Sequence, residues 1–283
     1  MPTALAAIGI LVLGIGLLSR PIKRTIIPIP VLAVGVGVLL SPAGLGWLDP
    51  HRWGKWETIL EEAARVTLAI ALMGVALRLP PGYVTRHWRS LVVLIGCIMP
   101  LMCLSTGLLT CWLLGFPFLA ALLLGAIVAP TDPIVATSIV TGELAEKHLP
   151  DRLRHLLSAE SGINDGLAYP LVLLPILLLT QAMGEPIKTW FWHSVLWEVG
   201  GAVLFGILLG IIAGGLLRWA EEKKEIEHPS FLGYTIALSL LALGAAKLLG
   251  TDGILAVFVT GLAFDRMVGT KEQIGRASCR ERV

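Results

Sequence analysis

Charge is what this 283-residue chain has least of: Asp, Glu, Lys and Arg together make up 15% of it, against 55% hydrophobic residues and a mean hydropathy of +0.81. So small a charged fraction excludes an ordinary soluble domain, which carries about a quarter. Cysteine is scarce too. Cys97, Cys103 and Cys111 fall in one apolar run and Cys279 near the end, with neither metal-ligand spacing nor a disulfide framework. The six histidines fall in loops or at the ends of apolar runs, and Ala159-Glu160-Ser161-Gly162 lacks the leading glycine of a nucleophile elbow, so no Ser–His hydrolase is indicated and no catalytic residue is assigned. The net charge of +2 gives no reason to expect a nucleic-acid partner, and no cofactor is expected. No positive n-region precedes the first apolar run, so it does not read as a secretory signal.

Long apolar runs take the place of charge. They lie at 4–19, 25–41, 62–79, 90–114, 116–140, 155–180, 194–217, 231–249 and 251–265, each near the ~20 residues that a helix needs to cross a bilayer. The pattern predicts an all-α polytopic membrane protein with about nine transmembrane helices and membrane lipid as its surroundings. Gly115 and Pro117 predict a tight hairpin between the fourth and fifth runs. Basic residues are distributed unevenly. Arg20, Lys23, Arg24, Arg78, Arg86, Arg89, Lys147, Arg152, Arg154, Arg218, Lys223, Lys224, Arg266 and Lys271 follow odd-numbered runs, whereas only Arg52, Lys55, Arg65, Lys188 and Lys247 lie on the other side. The positive-inside rule then puts the N-terminus outside and those richer loops in the cytoplasm. The expected location is a plasma membrane, that of a bacterial inner membrane.

Inside the fifth run stands Ala129-Pro130-Thr131-Asp132-Pro133. A carboxylate near the bilayer centre costs about 2.5–3.5 kcal/mol, so membrane helices seldom carry one without a use. Pro130 and Pro133 each lack an N–H and clash with the carbonyl four residues back, which strips the carbonyls of Ala126 and Ala129 of helical partners. The residues ahead of them, Ala129 and Asp132, are expected to leave helical dihedrals. A helix broken at mid-membrane beside an acid is how many secondary transporters build an ion site. Asp132 either binds the ion or turns its carboxylate to a half-helix N-terminus while freed carbonyls face the cavity. Thr131 offers a hydroxyl or a carbonyl.

A second polar cluster, Glu160-Ser161-Gly162-Ile163-Asn164-Asp165, opens the sixth run. At about 100° per residue, Glu160, Asn164, Ser161 and Asp165 share one broad helical face. Its oxygens suit a hard cation, by extension from the calcium and magnesium rule to Na⁺; Asp165, Thr131 and Ser161 are the expected Na⁺ ligands. Gly162 and Gly166 allow a neighbouring helix close approach. Asp165 is suited to carry a proton, because burial disfavours the charged form of a carboxyl. One site that holds either a cation or a proton gives exchange when inward- and outward-open populations interconvert. Asn164 is neutral, which suggests one proton per cation. Asp252, in Thr251-Asp252-Gly253, is expected to cap the ninth helix.

Gly125-Ala-Ile-Val-Ala-Pro-Thr-Asp-Pro133 followed by Glu160-Ser-Gly-Ile-Asn-Asp165 resembles the monovalent cation:proton antiporters of the NhaP/sodium–proton exchanger type, with Phe258-Val-Thr-Gly-Leu262 in keeping. The resemblance covers the chain to about Gln273. It implies an inverted-repeat antiporter fold with a discontinuous helix at the ion site, and exchange of Na⁺, Li⁺ or K⁺ for H⁺ by a homodimer. Thr131 and Asp132 would lie on the unwound crossing, Asn164 and Asp165 would form the family's Asn-Asp pair, and Asp165 would carry cation or proton. Glu160 becomes a structural or ion-pairing acid and Ser161 a possible ligand; the asparagine is typical of electroneutral members. Many members carry an acid in the third span, where this chain reads Ala71-Leu-Met-Gly-Val-Ala-Leu77.

Residues 1–273 are thus expected to form a transmembrane antiporter domain, incomplete because the family continues beyond nine helices. Ile274–Val283 reads as the one-frame translation of a sequencing adapter and is set apart from fold reasoning. Two rival readings use the same acids. A cation channel would conduct without coupling to pH. An intramembrane aspartyl protease would pair Asp132 with Asp165, yet neither stands in the Gly-x-Gly-Asp context such proteases have.

Overall fold

The computed structural model describes residues 29–180, 185–223 and 231–269, with the isolated positions 6, 9, 10, 13 and 14. Most of the first expected span and the whole tail from Ile274 lie outside the described residues. Among the described residues there are helices and turns and no strand. The chain divides into two compact units, 1–64 and 65–283.

The first unit holds α1 (Ile29–Leu40), a 3₁₀ turn at Pro50–Trp53 and the opening of α2 (Trp56–Arg78). The turn starts where the Asp49 side chain accepts from the His51 N–H at 3.1 Å, a short polar side chain satisfying a donor that has no partner within the helix.

The second unit carries the rest of α2 and the remaining helices. These are α3 (Tyr83–Arg86), α4 (Trp88–Leu114), α5 (Phe118–Val128), α6 (Pro133–Val140), α7 (Glu143–His148), α8 (Asp151–Thr180), α9 (Pro186–Glu222), α10 (Phe231–Leu248) and α11 (Gly253–Val268). By length and composition, α4, α8, α9 and α10 are apolar enough to cross a membrane. The runs at 25–41, 62–79, 116–140 and 251–265 correspond to α1, α2, α5 with α6, and α11. Two helices contain π-helical stretches, Leu94–Ile98 in α4 and Trp190–Gly200 in α9.

Glycine sets how closely these helices approach. On α9, Gly206, Gly210 and Gly214 recur every four residues and so share one face. A Cβ there would meet Val259 and the Ala256 carbonyl, then Ala263 and the Thr260 carbonyl, then Met267, all on α11. This small-residue seam brings two backbones together as membrane helix pairs commonly do. α11 also packs on α10 and α8, and buries Leu255, Ala256, Val257, Phe258, Thr260, Gly261, Phe264 and Asp265. A helix apolar around its circumference and buried around it is a core helix. Asp252 caps it, accepting from the Leu255 N–H at 2.7 Å, as the sequence predicts.

The predicted hairpin joins α4 to α5. Gly115, at φ +68°, ends α4 in the left-handed conformation that glycine adopts without a Cβ penalty, and its N–H bonds the Cys111 carbonyl at 3.1 Å. Gly107 and Gly125 then let the helices touch, since a Cβ on Gly125 would overlap the Cys103 carbonyl.

Between α5 and α6, Ala129–Asp132 is not helical. One expectation needs correction. Ala129, the residue ahead of Pro130, keeps right-handed helical dihedrals, φ −66° and ψ −38°. Its N–H still donates to the Gly125 carbonyl at 3.0 Å, and that bond holds it in helical dihedrals as the C-cap that follows α5, against the bias from Pro130.

Candidate ion site

The geometry of the two polar segments follows from α8. Glu160 and Asn164 are four residues apart and therefore adjacent on one face of this helix. Gly162, between them, and Gly166, two residues past Asn164, are pressed against Phe258 and Leu255 of α11 respectively, where a Cβ on either would overlap those side chains. Close packing against α11 thus fixes how far α8 can rotate, and the polar face turns to the α5–α6 break, with which both flanking helices pack on α8.

There Thr131, Glu160 and Asn164 close a ring of three hydrogen bonds. The Thr131 hydroxyl donates to Glu160 Oε2 at 3.0 Å. Asn164 Nδ2 donates to Thr131 Oγ1 at 2.7 Å and to Glu160 Oε1 at 2.7 Å. Glu160 accepts on both oxygens, and both amide protons of Asn164 have acceptors. Asn164 is fully buried at 0% exposure, whereas Thr131 is exposed, so the ring runs from a buried helix face to the open edge of the break.

The other expected residues stand around this ring. Asp132 caps α6: its Oδ1 accepts from the Val135 N–H at 3.2 Å, and its carbonyl accepts from the Ala136 N–H at 2.9 Å. Pro133 is buried and opens α6, where its missing N–H is no loss. Ser161, also buried, turns its hydroxyl back to the Ser158 carbonyl at 3.3 Å. Asp165 lies outside the ring. Its Oδ2 is buried without a hydrogen-bond partner among the described residues, and Asp132, Asp252 and Glu160 are carboxylates near enough to act on it electrostatically. Asn164 Oδ1 is likewise buried and without a partner among the described residues. Among the described residues, no His, Cys, Asp and Glu grouping forms a metal centre.

A cavity opens near each end of this stretch of α8. One, of about 330 Å³, is lined by Arg78, Glu146, Arg154, His155 and Ser158 among others. The second, of about 180 Å³, is lined by Arg65, Tyr169, Glu198, Lys247 and Asp252 among others. Ser158 and Tyr169 are separated by roughly 16 Å along the helix axis, and Asn164 and Asp165 fall between them. At the first cavity Arg154 pairs with Asp151 at 2.6 Å and Glu146 at 3.8 Å, and Arg78 donates to the Thr137 hydroxyl of α6 at 3.0 Å. At the second, the Glu198 carbonyl accepts from the Asp252 N–H at 3.1 Å. Its carboxylate lies 3.7 Å from His193, with Oε2 buried and unpartnered among the described residues.

Glu198 and Asp265, an acid only 2% exposed on α11, escaped the sequence reading. Each is an acid within or at the edge of an apolar run, the same signal that marked Asp132. The tryptophans around Glu198 and the arginine after Asp265 make both look like interface residues.

Comparison with known proteins adds the following. Residues 7–276 match the family described as sodium/hydrogen exchanger, transmembrane. The chain is 37% identical over 232 residues to the Na(+)/H(+) antiporter 2 of Zygosaccharomyces rouxii, covering 81% of this chain and 28% of that protein. It is 35% identical over 266 residues to the Na(+)/H(+) antiporter of Saccharomyces cerevisiae, covering 92% and 27%. With the K(+)/H(+) antiporter NhaP2 of a Shewanella species it shares 26% over 274 residues, covering 96% and 45%. The chain therefore spans between about a quarter and a half of the length of these relatives. Its fold matches that of the sodium proton antiporter MjNhaP1 from Methanocaldococcus jannaschii, with a TM-score of 0.67 at 23% identity over 96% of this chain and 64% of that one.

Proposed function

Because the chain belongs to the transmembrane sodium/hydrogen exchanger family, we propose that it exchanges a monovalent cation, Na⁺ with Li⁺ and K⁺ as alternatives, for a proton, with Asp165 holding each in turn. The observation that carries this reading is the Asp165 carboxylate, with a buried oxygen that has no partner among the described residues. It stands beside a completed hydrogen-bond ring and between two cavities at opposite ends of the same helix stretch. A buried carboxylate without a counter-charge is costly, so it is neutralised by a proton or by a bound cation. Occupancy by one excludes the other. When the site faces one cavity and then the other, whichever occupant is present crosses.

In this reading α5 and α6 are the two halves of one discontinuous membrane helix, its break held open by Pro130 and Pro133 and capped by Asp132. The described helices belong to a set of about nine spans with the N-terminus outside, supported by the bias of basic residues toward the loops after odd-numbered runs. The cavity lined by Arg78 and Arg154 then opens to the cytoplasm, and that lined by Glu198 and Asp252 to the exterior. Exchange is electroneutral, since Asn164 does not titrate and Asp165 carries one charge. The working unit is a homodimer in a plasma membrane, a bacterial inner membrane being suggested by the compact loops between the apolar runs.

The test uses everted vesicles carrying the complete reading frame, in which respiration sets up a pH gradient. Addition of Na⁺, Li⁺ or K⁺ is expected to collapse the gradient for the transported ion, and Asp165→Asn, present at equal amount, to abolish the response. An Asp165→Asn protein that still collapses the gradient overturns the role of this carboxylate.

A further inference from the structure

The larger of the two cavities holds charges that the exchange reading does not use. Arg78 closes α2 and Arg154 stands on the first turn of α8. Both line the cavity of about 330 Å³, with Thr141, Glu146, His155 and Ser158 around them. A guanidinium keeps its charge at every physiological pH, and two facing one cavity repel the cation that this route is to admit. Ion pairing does not account for them. Arg154 Nη2 meets Asp151 at 2.6 Å and Nη1 stands 3.8 Å from Glu146, but those carboxylate side chains are 78% and 65% exposed, and exposed pairs contribute little. Arg154 itself is 16% exposed, and its Nε is buried with no acceptor among the described residues. A charged N–H out of water and without an acceptor calls for one. Arg78 donates to the Thr137 hydroxyl at 3.0 Å, a neutral group that adds no counter-charge.

We propose that this cavity is a binding site for a phosphomonoester, held between the Arg78 and Arg154 guanidinium groups. The planar guanidinium fork matches phosphate oxygens in charge and in geometry, two donors at a time. A doubly charged phosphate balances two fixed positive charges. Glu146 lines the same cavity, and its exposure leaves the carboxylate room to turn to solvent. The volume is many times the ~30 Å³ share of one water, so a phosphate enters with an organic group attached. The lining residues come from the end of α2, the end of α6 and the first turns of α8, so one bound anion ties three helices together. α6 follows the break and α8 carries Asp165, and an occupant that favours one arrangement holds the protein in it. The anion therefore slows exchange from the cytoplasmic side. That consequence rests on the exchange reading above, whereas the binding site does not.

The experiment titrates the melting temperature of the purified full-length protein with inorganic phosphate, with glycerol 3-phosphate, and with phosphatidic acid added to the detergent micelle, chloride keeping ionic strength constant. A ligand bound only by the folded state raises that temperature saturably, whereas the general salting effect of phosphate does not saturate. At least one probe is expected to give a saturable rise, its midpoint moved upward by about tenfold in Arg154→Gln and in Arg78→Gln. A response to the soluble probes names a free phosphate compound as the source. A response confined to phosphatidic acid names a lipid headgroup, and either supports the site. No saturable rise with any probe overturns it, as does a rise that both variants keep unchanged. If Arg154→Gln, which gives up its ion pairs, does not fold, Arg78→Gln decides alone. In everted vesicles, whose cytoplasmic face is outward, the responding probe is expected to lower the exchange rate several-fold, and less so in Arg78→Gln. Saturable binding with an unchanged rate overturns the brake on exchange. Vesicles that exchange no cation with or without the probe remove the exchange reading itself, while the melting titration still decides the site.

Discussion

Two helix contacts in the second unit are built on opposite principles. Where α9 meets α11, Gly206, Gly210 and Gly214 let the backbones approach until a Cβ would overlap the partner, and nothing at the seam needs to change charge. Where the α5–α6 break meets α8, three polar side chains share three hydrogen bonds around a buried amide. Packing of the first kind depends on shape alone and is indifferent to cation or proton. Under the proposed exchange, contacts of the second kind would respond to whatever the neighbouring carboxylate holds. A transporter needs both: a part that stays rigid while its surroundings move, and a part whose preferred arrangement depends on its occupant.

The contrast is sharpest in substitutions. Gly210→Leu would drive a branched side chain into Ala263 Cβ, 2.6 Å from the position of the added Cβ, and into the Thr260 carbonyl. The expected loss is at or above the top of the ~1–3 kcal/mol range for overpacking, seen as a lower melting temperature or as failure to recover folded protein at any cation concentration. Glu160→Ala should cost ~1–3 kcal/mol through the Asn164 amide proton left unsatisfied. Here the prediction is a different pattern: moderate thermal loss together with weaker cation binding, read as a higher half-saturating cation concentration. Gly215→Ala is the control for the seam. Gly215 neighbours Gly214 in sequence, but a Cβ on it meets nothing within 4 Å. Relief of glycine's entropy cost should stabilise by ~0.5–1 kcal/mol, a small rise in melting temperature with unchanged exchange. Equal damage from Gly214→Ala and Gly215→Ala would show that the seam is not set by shape.

Much of this was legible in the sequence, for identifiable reasons. Pro130 and Pro133 act through a missing N–H, a local effect, so the interruption near Thr131 is predicted without knowing the fold. Gly115 and Asp252 are local in the same way, and both stand where expected, ending one helix and starting another. Helix ends were less accessible. α2 begins at Trp56 and α9 extends from Pro186 to Glu222, beyond the runs at 62–79 and 194–217, because polar end turns remain helical while apolar counting stops at the edge of hydrophobicity. The π-helical stretch Trp190–Gly200 has no compositional mark. Around the site, one helical face was predictable from spacing, but not how its groups divide. Glu160 and Asn164 bond to each other and to Thr131, Ser161 folds back onto its own helix, and Asp165 points elsewhere. That division depends on hydrogen-bond partners 29 and 33 residues away in sequence, which no local pattern encodes. The acid Glu198 carries no local mark of its place at the second cavity, since Trp192 and Trp197 beside it give it the sequence context of an interface residue.

The central claim is that one carboxylate, Asp165, holds either the cation or a proton. Its most direct test is the half-saturating cation concentration for exchange, measured between pH 6 and pH 9 in vesicles with the maximal rate recorded alongside. If protons and cations compete for one site, that concentration rises as pH falls, approaching tenfold per pH unit on the acidic side, while the maximal rate at saturating cation is preserved. A half-saturating concentration independent of pH, with the maximal rate alone falling, would place proton and cation on separate sites and contradict the account.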